Sequence, residues 1–178
     1  MDIIEPFELA AQHRTLAGHL PVSSLPRLIP LLITDDLVVL GRCRVDYVLN
    51  FGVDEGGVPG LTGTLQAVLP LQCQRCMEEL AFPVSLVLNL ALVKSRQAAQ
   101  QLPENYDPLL VLPDEETSVE SIIEDELILA LPQVAMHEIK DCPKGEAFLN
   151  TEDGSAPQRE NPFAVLAQLK TSQSSHDD

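Results

Sequence analysis

The chain has 178 residues, 45% of them hydrophobic, which is enough for one domain with a sizeable core plus a tail. With no Trp and 14 Pro, the core must be aliphatic and the chain segmented into strands and loops more than wound into a helical bundle. Eleven Lys and Arg against 27 Asp and Glu leave a formal net charge of −16, which repels phosphate at long range and argues against an affinity built on neutralising nucleic-acid backbones.

Such a charge suits a basic partner; it also serves solubility alone. The N-terminus, Met1-Asp2-Ile3-Ile4-Glu5, has no basic region and no apolar run of signal-peptide type, and no stretch approaches the roughly 20 apolar residues that span a bilayer. A cytoplasmic location without membrane contact is expected. Its four cysteines, Cys43, Cys73, Cys76 and Cys142, are then reduced thiols or metal ligands rather than disulfides.

In chain order, Pro6 is placed to open a helix running through Leu9 and His13 to Leu16, with Gly18 at its C-terminal end. Ser24 is placed to cap a short turn carrying Leu25, Leu28 and Leu32. Residues 37–51 read as a strand with Cys43, Val45, Tyr47, Leu49 and Phe51 on one face and Arg42, Arg44, Asp46 and Asn50 on the other. Gly56-Gly57 and Pro59-Gly60 mark a turn. Residues 61–73 alternate again, with Leu61, Leu65, Ala67, Leu69 and Leu71 facing one way. Leu80, Phe82, Val84, Leu86, Leu88, Leu90 and Leu92 then fall on successive even positions, the signature of a long strand with one apolar face. The two strands flank Cys73-Gln74-Arg75-Cys76, which predicts a β-hairpin with a Cys-x-x-Cys turn at its tip.

Residues 95–118 read as a polar connection. Thr117 and Glu120 have capping-box spacing, and a helix follows with Val119, Ile122, Ile123, Leu127 and Leu131 buried, Glu120, Glu124 and Asp125 wet, and Pro132 as its stop. From Gln97 to Glu138 there are ten Asp or Glu and no Lys or Arg, so the acid is concentrated. Residues 144–160 look like a linker. Asn161-Pro162 starts a short amphipathic helix with Phe163, Leu166 and Leu169 on one side, and residues 171–178 form a tail expected to be disordered. The fold expected over residues 1–143 is an α+β domain of mainly antiparallel sheet, open or partly closed into a barrel, with a few flanking helices.

Cys73 and Cys76 have the spacing by which a tight turn offers two thiolates to one metal, and His137 with Cys142 is the pair available to complete a zinc tetrahedron. Two features weigh against it. His-x4-Cys is not a usual ligand spacing, and Met77 stands where such turns often place Gly. The plainer reading is four reduced cysteines, some buried as small apolar side chains. A redox pair would need a helix N-terminus beside it, and none is indicated. The carboxylates of the acidic helix admit a catalytic reading, but no nucleophile with a base, Gly-rich phosphate loop or Asp/Glu/His metal set accompanies them. An enzyme is not expected. Arg42, Arg44 and Arg75 are few for an RNA-binding surface.

Three stretches together resemble the YceD family of large ribosomal RNA subunit accumulation proteins: Leu71-Gln72-Cys73-Gln74-Arg75-Cys76 with Phe82; Ile123 to Pro132 with His137 and Cys142 behind it; and Asn161 to Lys170. Leu102-Pro103-Glu104-Asn105-Tyr106 adds a fourth. The resemblance covers about residues 40–170. It implies a small cytoplasmic bacterial protein in ribosome biogenesis, tied to synthesis, processing or stability of large-subunit ribosomal RNA, and it brings no defined site residues. Three functions follow for comparison. In the first, a non-catalytic factor binds a basic ribosomal protein or pre-ribosomal particle through an acidic surface, with Glu120, Glu124, Asp125, Phe163, Leu166 and Leu169 as contacts. In the second, a zinc knuckle of Cys73, Cys76, His137 and Cys142 contacts precursor RNA directly. In the third, the least favoured, the chain is a nuclease, which would need carboxylates converging on metal ions.

Overall fold

The two longest alternating stretches pair with each other at the centre of the molecule. The computed structural model describes residues 3–112 and 116–145. Strands β1 (Ile3–Ile4), β2 (Thr15–Pro21), β3 (Arg44–Val53), β4 (Pro59–Gln72), β5 (Glu79–Val93), β6 (Asp107–Leu110) and β7 (Thr117–Ser118) are joined by helices α1 (Pro6–Ala11), α2 (Leu37–Leu40), α3 (Arg96–Ala99) and α4 (Val119–Ala130). β4 and β5 run antiparallel from Gln72 opposite Glu79 to Gly60 opposite Ala91. β2 and β3 extend that sheet antiparallel on one side, and β6 adds to β5 in parallel on the other, giving the order β2-β3-β4-β5-β6. The class is α+β as expected. The sheet is open, with β2 and β6 as its edges, and β1 pairs separately with β7.

The period of two sets the core. Leu61, Leu65, Leu69 and Leu71 of β4 meet Val84, Leu88, Leu90 and Leu92 of β5 and Val45, Leu49 and Phe51 of β3, all buried, while Thr62, Thr64 and Gln66 face out. Leu25 and Leu28 from the segment after β2, with Ile122, Ile123 and Leu127 of α4, join the same cluster. Pro70 and Pro83 sit in long strands, yet each stands where its strand has lost one neighbour. β3 reaches only to Ala67 of β4, and β6 meets β5 only from Leu90 onward. The β3–β4 turn closes on Asp54, whose carboxylate accepts from the Val58 amide at 2.8 Å and from the Tyr106 hydroxyl. That gives the Leu102–Tyr106 stretch a structural role. Gly57 takes a φ of +81° in this turn.

Four local expectations are corrected. The first helix stops at Ala11, with His13 at a φ of +51°, and Leu16 and Gly18 lie in β2. The free edge of β3 offers this segment a hydrogen-bonded ladder that its weak helical pattern cannot match. Leu37–Leu40 is a helical turn capped by the Asp36 side chain, which accepts from the Val38 amide at 2.8 Å, so the strand begins only at Arg44. The capping box lies one residue later than the spacing suggests. Ser118 and Ser121 exchange side-chain-to-amide bonds, both of 3.1 Å. Glu124 is 3% exposed and not on a wet face. Its carboxylate accepts from the Arg27 amide at 2.6 Å, the Leu28 amide at 3.2 Å and Arg27 Nε at 2.8 Å, which locks the 22–31 segment onto α4. The expected linker, C-terminal helix and tail lie outside the described residues apart from Lys144 and Gly145.

Candidate metal centre

Two chain segments far apart in sequence meet at the tip of the β4–β5 hairpin. In the first, Cys73 to Glu78 form the turn: the Cys73 amide donates to the Glu78 carbonyl at 2.9 Å and the Met77 amide to the Cys73 carbonyl at 2.8 Å. Met77 adopts a φ of +67°. The left-handed residue that a knuckle needs is therefore present, built with a side chain that disfavours it by roughly 1–2 kcal/mol. In the second, Pro132 ends α4 and releases an arm over residues 132–145. The Gln74 amide donates to the Ala135 carbonyl at 2.8 Å, and the His137 amide points at Cys73 Sγ at 3.5 Å. The arm then makes a single tight turn, Ile139–Asp141, into Cys142, and the Gly145 amide donates back to the Cys142 carbonyl at 2.8 Å. A Cβ on Gly145 would lie 1.9 Å from the Ile139 carbonyl oxygen, so this closure requires glycine.

The arrangement brings together the sulfurs of Cys73, Cys76 and Cys142 and a ring nitrogen of His137, all within 4.8 Å of one another. A tetrahedron of zinc–sulfur and zinc–nitrogen bonds has edges of about 3.3–3.8 Å, so the four atoms stand close to that spacing. His137 Nδ1 is 3.4 Å from Cys76 Sγ, and His137 Nε2 donates to the Glu79 carbonyl at 3.0 Å. That outer bond fixes the tautomer, leaving the Nδ1 lone pair facing the sulfurs, as is usual for metal-bound histidines. The three cysteines are buried, and Leu80 packs against them.

The sulfur environments differ. Burial alone pushes the Cys73 thiol up, but backbone N–H groups of Cys76, His137 and Arg75 donate toward its sulfur, outweigh burial and bring it down to about 5. Burial, with the Cys73 and Cys142 sulfurs alongside, pushes Cys76 up. Cys43 stays apart, with its sulfur toward the Val39 carbonyl at 3.8 Å.

All four sequence-predicted ligands thus converge. The proposed partner contacts do not stand together in the same way. Asp125 is exposed but held by Arg27 Nη1 at 2.7 Å, Glu124 is buried, and Glu120 is half-buried, with one enclosed carboxylate oxygen that has no hydrogen-bond partner among the described residues. Phe163, Leu166 and Leu169 lie outside the described residues. Sequence reasoning missed the Glu79 carbonyl, the Gln74–Ala135 link and Gly145. The first two are backbone contacts that carry no residue signature. Gly145, closely following Cys142, was the one visible signal.

The chain is similar to known proteins over most of its length. The family model described as large ribosomal RNA subunit accumulation protein YceD matches residues 61–170. A curated relative from Haemophilus influenzae, named large ribosomal RNA subunit accumulation protein YceD, is 31% identical over 169 residues, 94% of each chain. No solved structure matches. The hairpin tip, α4 and the arm that meets it all fall within the matched residues, and the chain belongs to the YceD family of large ribosomal RNA subunit accumulation proteins.

Proposed function

We propose that this chain supports the accumulation of large-subunit ribosomal RNA as a non-catalytic binding protein that engages a basic partner, a ribosomal protein or pre-ribosomal particle, through its acidic surface. The role itself rests on the name of the relative. The mode of action rests on charge. The carrying observation is the concentration of acid: the stretch from Gln97 to Glu138, which includes β6 and α4, has ten Asp or Glu and no Lys or Arg. Burial, Asp107 and Asp125 together raise the pKa of the Glu126 carboxyl above its ordinary 4.5. Acid concentrated in one stretch repels itself, and a cationic partner would relieve that repulsion.

Two further observations support protein over RNA as the direct contact. The outward face of β2 to β5 carries Thr15, Asn50, Thr62, Asn89 and Val87, with His19 opposite Asp46, and Arg44 is the one Lys or Arg in these described strands. Arg75, the one cation of the hairpin turn, is folded over the arm with Nη2 3.8 Å from Met136 Sδ. The α4 acids do not favour metal-dependent cleavage, because Glu124 and Asp125 are both paired with Arg27. The helix expected over residues 161–170 would be a second contact.

The test is association of the full-length protein with pre-ribosomal particles from cells lacking it, measured at low and high salt. Binding should weaken steeply with salt, and the Asp107→Asn/Glu126→Gln double variant should bind less at low salt. Recovery that did not change with salt would count against the acidic-surface reading.

A further inference from the structure

We infer that Cys73, Cys76, His137 and Cys142 hold one Zn²⁺ as a closed, structural site that clamps the arm over residues 132–145 onto the tip of the β4–β5 hairpin.

The ligand set comes first. Three thiol sulfurs and one imidazole nitrogen all lie within 4.8 Å of one another, a soft donor set of the kind that selects zinc. Four protein ligands fill a tetrahedron and leave no open position for water or substrate, so the site is structural rather than catalytic.

The tautomer points the same way. The Nε2–H of His137 is engaged by the Glu79 carbonyl at 3.0 Å, which directs the bare Nδ1 into the cluster. Nδ1 then stands 3.4 Å from Cys76 Sγ, placed to serve as the fourth ligand.

Val134, Met136 and Ile139 are 56%, 49% and 47% exposed, so the arm turns much of its apolar surface away from the domain. Among the described residues of the arm, Ala135 packs against the main core, and the hairpin tip adds a separate small cluster of the three cysteines with Leu80 against them. One alanine, three thiols and one leucine are a small apolar contact for an arm of this length. A metal bond between residues about 60 positions apart in sequence supplies the missing cross-link, and it sets the point from which residues 146–178 continue. Metal loading is balanced chemically: the ligating cysteines bind as thiolates, those still protonated release their protons as Zn²⁺ binds, and no oxidant or reductant is required.

The inference does not depend on the proposed partner, because its readouts need no ribosomal component. The full chain, untagged and kept reduced, is assayed for metal as purified and again after chelation and reloading with Zn²⁺ or Co²⁺. About one zinc per chain is expected, and the cobalt form should show sulfur-to-cobalt charge-transfer absorption with the strong visible bands of a tetrahedral site. Cys142→Ser and His137→Ala should each weaken zinc retention at least tenfold in a chelator competition. In case a variant misfolds, the wild-type protein supplies an independent readout. Stripping zinc should raise hydrogen exchange over residues 132–145 and leave the paired centre of β3 and β4 protected. The assignment is overturned if the reduced, reloaded protein holds no metal, if Cys142→Ser binds zinc as tightly as wild type, or if exchange in the arm is the same with and without zinc.

Discussion

Met77 sits at a φ of +67° in the hairpin turn, a conformation that glycine adopts freely and a methionine adopts at a cost. Its side chain is 54% exposed, so little packing would be lost on shortening it. Met77→Gly is therefore expected to stabilise the protein by about 1 kcal/mol in denaturant unfolding, with zinc affinity unchanged or higher. A clear loss of stability would show that the methionine contributes packing not apparent in its exposure. Glu124 is the opposite case. Its side chain is 4% exposed and satisfies two backbone amides and one guanidinium. Glu124→Ala leaves the Arg27 and Leu28 amides without their acceptor and should cost roughly 3 kcal/mol in the same measurement. Reading Glu124 as wet was an error of helical face. The helix period puts it beside Ile123 and Leu127, and only the arrival of Arg27 from a distant segment turns that position into a buried ion pair.

On the scale of elements, α4 joins a stabilising face to a destabilising one. Ile122, Ile123 and Leu127 anchor it in the core, and the Ser118–Ser121 capping box satisfies its first amides. Glu126, in contrast, is half-buried with Asp107 and Asp125 nearby, and burial first, then those two charges, raise its folded pKa above 4.5. The sign follows from linkage. A raised carboxyl favours the fold when protonated, so its contribution is fully present below 4.5 and is lost as the pH rises through the folded value. Glu126→Gln should thus be more stable than wild type at neutral pH, with the difference shrinking to nothing below about pH 4.5. Because the group is only half buried, the gain should be under about 1 kcal/mol. Equal stability of the two proteins from pH 4 to 8 would contradict the crowding. The long hairpin was legible in advance because an apolar residue on every second position has only one way to meet a core. The first segment was not, because Thr15–Pro21 becomes a strand only when β3 presents a free edge.

At the scale of the whole molecule, the proposed zinc and the proposed acidic docking surface would act through forces of different range at two places. The zinc proposed at the hairpin tip is short-ranged and would hold one arm; attraction of a partner to acidic residues would act over about a Debye length and depend on salt. Chelation should therefore loosen residues 132–145 without abolishing salt-dependent partner binding through β6 and α4. Raised salt should weaken the binding without releasing zinc. Paired measurements of metal content and particle association at two salt concentrations check this, and loss of both functions together would tie the two sites into one. Among the described residues no helix is long and apolar enough to cross a membrane.

Alternation and spacing settled the central hairpin, the buried faces of β3 to β5 and the helix before Pro132, because each is encoded by residues near in sequence, and the Cys-x-x-Cys spacing drew attention to the four side chains that converge at the hairpin tip. Strand order, the parallel addition of β6, the lock of Arg27 on Glu124 and the engagement of His137 by the Glu79 carbonyl were decided by the tertiary structure alone. Each depends on a backbone group or edge that exists only once distant segments have packed, and backbone groups are the same in every residue.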